Sequence, residues 1–186
     1  PSQARVGMCA RLEGVWQYSR GDHAGVNRTP SGLPPMANCQ VINHTPAGYA
    51  LRQVDATPST LRIGELVALR IEGRATLQVA MLRWFRNTLK GSGLEFGCEL
   101  LSDSPEAAAA TGEEGKAGTF QPVVVLPEDN GAVPEASPPQ VIVPAGAFGL
   151  EQAITLKRTS GTCFAVLTKL VEQGPGFELY EFVPVG

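Results

Sequence analysis

The chain has 186 residues, 43% of them hydrophobic, and a formal net charge of −3 at pH 7, which gives room for one generous domain or two small ones around a real core. No apolar run is long enough to cross a bilayer as a helix, and the opening PSQARVGMCARLEG has neither the charged start nor the apolar stretch of a signal peptide, so membrane insertion is not expected. The charge is divided: residues 1–105 carry eleven Lys and Arg against eight Asp and Glu (+3), and residues 106–186 carry four against ten (−6), so even the first half is too weakly basic for duplex nucleic acid.

In chain order, Arg5–Leu12 and Gly14–Tyr18 read as extended. The segment SRGDHAGVNRTPSGLPP that follows is dense in Gly, Pro and Asn and reads as a loop. Residues 39–42 (CQVI), 48–54 (GYALRQV), 66–72 (LVALRIE), 75–86 (ATLQVAMLRWFR) and 94–101 (LEFGCELL) are strand-forming runs separated by Gly, Pro, Asn, Asp or Ser. In 75–86, Leu77, Val79 and Met81 alternate with Gln78 and Ala80. Beyond Leu82 the run is partly apolar on both faces, as for a barrel strand covered at one end. No long window keeps a 3.6-residue period free of Gly or Pro, so a helical fold fails.

Residues 102–119, SDSPEAAAATGEEGKAGT, change composition. Ser104 as N-cap and Pro105 at the first helical position predict a short helix over the four alanines, with a Gly-rich linker behind it. Beyond lie FQPVVVLP (120–127), QVIVP (140–144), EQAITLKR (151–158), CFAVLTKLVEQ (163–173) and FELYEFVPV (177–185), a second β region; the polar insert EDNGAVPEASPP reads as an exposed loop. These residues suffice for a small barrel, or for completing one larger β structure with the first half. The expected organisation is all-β: a barrel over 1–105, a linker or short helix over 106–119, and a second β region over 120–186. Beginning at Pro1 and ending on Gly186 directly after a strand, the chain reads as a piece of a longer protein.

Cys9, Cys39, Cys98 and Cys163 lie far apart and the histidines are His23 and His44, so a clustered zinc site is not expected. Cys39, Cys98 and Cys163 fall in apolar runs, which suits buried free thiols in a reducing cytoplasm. No G-x-S-x-G, H-E-x-x-H, P-loop or dinucleotide fingerprint is present, which argues against an enzyme. Ten of the eleven arginines lie in the first 86 residues, favouring planar, paired contacts with phosphate, carboxylate or guanine.

The most informative feature is the order of elements around CQVINHTPAGYAL (39–51). An apolar strand leads into Asn43-x-Thr45-x-x-Gly48, a second strand follows, then Leu61-Arg-Ile-Gly-Glu-Leu-Val-Ala-Leu, Arg83-Trp84, and Gly93-Leu-Glu-Phe-Gly-Cys-Glu-Leu. Over roughly residues 5–105 this series resembles the PilZ domain family, with its [DN]-x-S-x-x-G motif, "xxGxxVxL" and "VRW" strands and closing "GxEFxxL" strand. It is also similar to long bacterial proteins that end in a PilZ-like barrel followed by a second β segment, in which N-x-[ST]-x-x-G-Y-x-L is characteristic.

The resemblance implies a six-stranded antiparallel barrel that binds cyclic di-GMP, a bacterial second messenger, and passes the signal to an attached module or protein partner. On its terms Asn43 offers an amide to a guanine edge, Thr45 a hydroxyl where the family usually has Ser, and Gly48 a place for backbone to approach a flat base. The family's R-x-x-x-R pair ahead of the barrel has no counterpart here. Arg5, Arg11, Arg20 and Arg28 have other separations, and Arg70-Ile-Glu-Gly-Arg74 follows the motif at an expected hairpin. Either the pair precedes Pro1, or Arg20 and Arg28 supply the donors from their loop, or the barrel is a degenerate one serving as a structural or protein-interaction domain without nucleotide binding. Beyond cyclic di-GMP as ligand, no cofactor is expected. Trp16, Trp84 and Phe85 read as core or rim residues, Arg83 as packing on Trp84, and His23 and His44 as solvent-facing turn residues.

Overall fold

The computed structural model describes residues 4–21, 33–55, 60–87, 93–112, 119–128 and 138–185. Six strands close the first barrel: β1 (Arg5–Ala10), β2 (Ala37–Thr45), β3 (Gly48–Gln53), β4 (Leu66–Ile71), β5 (Gln78–Asn87) and β6 (Leu94–Ser102), in the spatial order β1-β2-β3-β6-β5-β4. A further six close the second: β7 (Glu106–Gly112), β8 (Gln121–Leu126), β9 (Gln140–Pro144), β10 (Ala153–Arg158), β11 (Gly161–Gly174) and β12 (Phe177–Val185), in the order β10-β11-β12-β9-β8-β7. Every pairing is antiparallel. Closure leaves no free sheet edge among the described strands of either barrel.

The expected all-β architecture is therefore present, and of the two arrangements left open for the second region the separate barrel is the one observed. Two elements differ from expectation. Leu12–Gly21 is not extended but forms helix α1, the sole α-helix among the described residues. Leu12, Val15 and Tyr18 recur at helical spacing and are buried together, while Glu13 in the first turn and Arg20 in the last complement the helix dipole. Burial of that face outweighs the cost of an internal Gly14. The alanine run is likewise not a helix or linker over 106–112 but strand β7, pairing with β8 on one side and β10 on the other. Ladder hydrogen bonds and the burial of Ala108 and Ala110 inside the second barrel override the helical preference of alanine. The remainder of the expected linker, 113–118, lies outside the described residues, as does most of the insert expected as a loop after β8.

Three cores explain the runs that are apolar on both faces. Val67 and Leu69 of β4 point into the first barrel with Leu51, Leu82 and Phe96. Leu66 and Ala68, on the opposite face of the same strand, join α1 in a cluster that also takes Val124 and Leu126 of β8, Ile142 of β9 and Phe177 and Leu179 of β12. Val123, Val125, Val141 and Val143 fill the interior of the second barrel. Alternate residues of β4, β8 and β9 thus serve a barrel interior and an apolar seam between the barrels. Helix α1 closes that seam, with the Trp16 indole Nε1 donating to the Ala108 carbonyl at 2.8 Å.

Candidate functional site

The motif Asn43-x-Thr45-x-x-Gly48 forms the β2–β3 hairpin. His44 opposes Tyr49 and Thr45 opposes Gly48 across a Pro46-Ala47 turn. Pro46 presets the turn backbone, and the Thr45 hydroxyl accepts from the Ala47 amide at 3.3 Å. Asn43 Oδ1 accepts from the His44 amide at 2.9 Å, and the residue is exposed, so its side-chain NH2 is a donor available to a ligand. The His44 and Tyr49 rings stack with centroids 6.3 Å apart. A bulge in β2 between Val41 and Asn43 makes Ile42 the extra residue, so the alternation of the strand is reset just before the polar run.

The facing wall comes from β5 and β6. Here too a bulge interrupts the pairing, between Leu82 and Trp84, and the extra residue is Arg83. Trp84 opposes Gly97, and a Cβ built on Gly97 would meet the indole Nε1 at 2.1 Å. The indole therefore lies flat on bare backbone, 40% exposed, with the Arg86 guanidinium 5.8 Å from its ring centre. Gly48 has a similar constraint from the other side: a Cβ there would meet the Cys98 carbonyl oxygen at 2.0 Å. Its absent side chain lets β6 approach the hairpin. Asn43, His44, Thr45, Arg83, Trp84 and Glu99 together border a cleft of about 380 Å³.

The electrostatics centre on Arg83. Its Nε donates to Glu99 Oε2 at 2.6 Å, and its Nη2 to Glu172 Oε2 of β11, in the other barrel, at 3.1 Å. Burial alone would ease deprotonation, but hydrogen bonds to Glu99 and Glu172 and their charges outweigh it and hold the guanidinium more firmly protonated. Cys98, at the cleft floor, is pushed up to about 12, first by burial and then by Cys39, so its thiol stays protonated and offers no nucleophile. The chemistry on offer is recognition. An amide and a hydroxyl can read a polar edge, an indole face can stack on a flat ring, and an arginine can pair with an anion.

Of the residues selected from sequence, Asn43, Thr45 and Gly48 come together on one hairpin. Arg20 does not join them: it sits in the last turn of α1 rather than in a loop, with its guanidinium 4.8 Å from the Trp16 ring centre. It borders a different cavity with Thr76, Leu77 and Glu106. Arg28 and His23 lie outside the described residues. Arg70 of the Arg70-to-Arg74 spacing faces the Tyr18 ring at 5.5 Å. Arg83 and Trp84, read from sequence as packing residues, border the cleft instead. The available signal was the pairing of Arg-Trp with the small Gly97 of the GLEFGCEL strand; the bulge that places Arg83 leaves no trace in residue types.

Two family models match the chain: "Cyclic-di-GMP receptor FimW, middle PilZ domain" over residues 17–107, and "FimW C-terminal beta-barrel domain" over residues 107–185. A curated relative, the cyclic-di-GMP receptor FimW of Pseudomonas aeruginosa, is 32% identical over 66 residues, which are 36% of this chain and 11% of that protein. The matched part thus spans about a tenth of the relative's length. No solved structure matches. The chain belongs to the FimW family: it holds the family's middle PilZ domain and its C-terminal β-barrel.

Proposed function

We propose that this chain is a non-catalytic receptor module of bacterial signalling that binds cyclic di-GMP in the cleft between the β2–β3 hairpin and the β5–β6 wall. One observation carries the reading: the polar motif and the partly exposed indole of Trp84, packed on Gly97, border the same cleft. A guanine stacked on Trp84 would put its polar edge toward the Asn43 amide and the Thr45 hydroxyl. At about 380 Å³ the cleft is at the small end of ligand sites, which suits one nucleotide unit with the second projecting over the rim. That the relative FimW is a cyclic-di-GMP receptor and that residues 17–107 match a PilZ domain support the choice of ligand. A cytoplasmic location follows from that ligand, an intracellular messenger. Downstream, the module would act on a protein partner or on a further domain of a longer chain.

A second reading has its own support: the barrel acts as a structural or protein-interaction domain without nucleotide binding. Asn43 and Thr45 already accept from their own hairpin's amides, and Arg83 is already paired twice. Calorimetry with cyclic di-GMP separates the two. The receptor reading expects saturable heat that Asn43→Ala and Trp84→Ala each weaken; no heat at high micromolar ligand supports the structural reading.

A further inference from the structure

We infer that Arg83 is the cleft's anion-binding arginine, and that a bound phosphate takes it from Glu172, so that occupancy of the first barrel is reported to strand β11 of the second. The inference rests on the cyclic di-GMP reading and adds to it an arginine for the ligand's phosphate and a route for the signal.

Among the described residues the cleft holds one arginine, Arg83, and one carboxylate, Glu99, while Glu172 reaches in from the other barrel. In this arrangement Arg83 faces two carboxylates, so a dianionic ligand meets a net negative rim unless one of the pairs gives way. The two pairs are not equal. Glu99 lies on β6, the hydrogen-bonded neighbour of β5, and holds Nε at 2.6 Å. Glu172 is on another barrel, is 3.1 Å from Nη2, and sits beside the bulge between Leu170 and Glu172 in β11. The longer contact, from the irregular strand, is the one a phosphate displaces, because Nη2 is one edge of the fork that pairs with phosphate oxygens.

Geometry ties that exchange to the second barrel at a second point. The β11–β12 turn touches the first barrel close by: a Cβ on Gly174 would meet the Gly64 carbonyl oxygen at 2.3 Å. Gly64 in turn donates its amide to the Leu82 carbonyl at 2.7 Å, immediately before Arg83 in the chain. The distal half of β11 carries exposed Leu170 and Val171, apolar residues whose presentation would change once Glu172 is released. The apolar seam around Phe177 and Leu179 keeps the barrels joined meanwhile, so the response is local to this arm rather than a separation of the barrels.

Linkage makes the proposal testable in both directions, since whatever the ligand does to the Arg83–Glu172 pair, the pair does to the ligand. The experiment is calorimetry with cyclic di-GMP on the wild-type chain, Arg83→Gln, Glu172→Gln and the double variant at one ionic strength. Arg83→Gln is expected to weaken binding about tenfold or more, the effect of losing a charge-assisted contact. Glu172→Gln is expected to tighten it about threefold when Arg83 is present, as for an exposed ion pair, and to do nothing in the Arg83→Gln background. Wild-type affinity in Arg83→Gln overturns the inference and leaves the receptor reading intact. An equal effect of Glu172→Gln in both backgrounds also overturns it, because that would be long-range charge alone. Absence of binding in the wild-type chain overturns the reading and the inference together.

Discussion

Gly48→Ala separates two roles for the motif glycine. Sequence logic assigns Gly48 to a close approach of backbone to a base; the structure places the missing side chain against the Cys98 carbonyl oxygen, 2.0 Å from an ideal Cβ. The obstacle is backbone, so no rotamer change relieves it, and β3 must move away from β6 by more than an ångström. The contacts at risk are the end pairs Gly48–Glu99 and Tyr49–Cys98, the Leu100 amide bond to Ala47 at 2.8 Å, and the packing of buried Tyr49 and Cys98. One or two ladder hydrogen bonds at about 1 kcal/mol each, with overpacking at about 1–3 kcal/mol, give a loss near 3 kcal/mol. For a chain of this size that lowers the melting temperature by roughly 6–12 °C. The assay is thermal unfolding followed by circular dichroism, without ligand. A Gly48→Ala variant that melts within about a degree of wild type, well short of that interval, would refute the reasoning and return Gly48 to a role in ligand contact alone.

Phe177 is fully buried in the seam between the barrels, so Phe177→Ala should cost about 3–5 kcal/mol while the chain still melts in a single transition. Two transitions, with one at the wild-type temperature, would show that the barrels are energetically independent. Glu95 gives a pH dependence. Hydrogen bonds from Arg52, then Arg86, hold its buried carboxyl below the usual range. A lowered folded-state pKa stabilises the fold above the unfolded value of about 4.3 and loses that contribution as pH falls toward the folded-state value. Urea midpoints between neutral and acid pH should therefore fall more steeply in wild type than in Glu95→Gln. A constant gap between the two proteins across that range would contradict it.

Much of the first barrel is legible in the sequence, because turn residues bound its strands; the alternation in β5 misleads, since Gln78–Leu82 is buried on both faces and Arg83–Asn87 is exposed. What stayed hidden is what covers the second face of a strand that serves two cores. Leu66–Leu69 and Val123–Leu126 are apolar on both faces because alternate residues fill a barrel and the inter-barrel seam, and a seam is a tertiary fact. The same seam made α1: Gly14 and the short span hid the helical spacing of Leu12, Val15 and Tyr18 until there was a surface to bury them against. Alanine in β7 shows the converse, a helix former held in a strand by two neighbours. At the candidate site, the hairpin half was visible because Asn, Thr, Pro and Gly specify a turn locally. The facing half was not, because it depends on a bulge at Arg83 and on Gly97 lying opposite Trp84, relations between distant segments.

The central claim, that cyclic di-GMP binds against Trp84, meets its most direct test in the indole N–H signals of a proton–nitrogen correlation spectrum. The chain has two tryptophans; the Trp16 N–H is bonded to Ala108 at the seam, whereas the Trp84 ring borders the cleft. Titration with cyclic di-GMP should shift one indole signal, absent in Trp84→Phe, and leave the other in place. Two unmoved signals at saturating ligand, or movement of the Trp16 signal alone, would contradict the account.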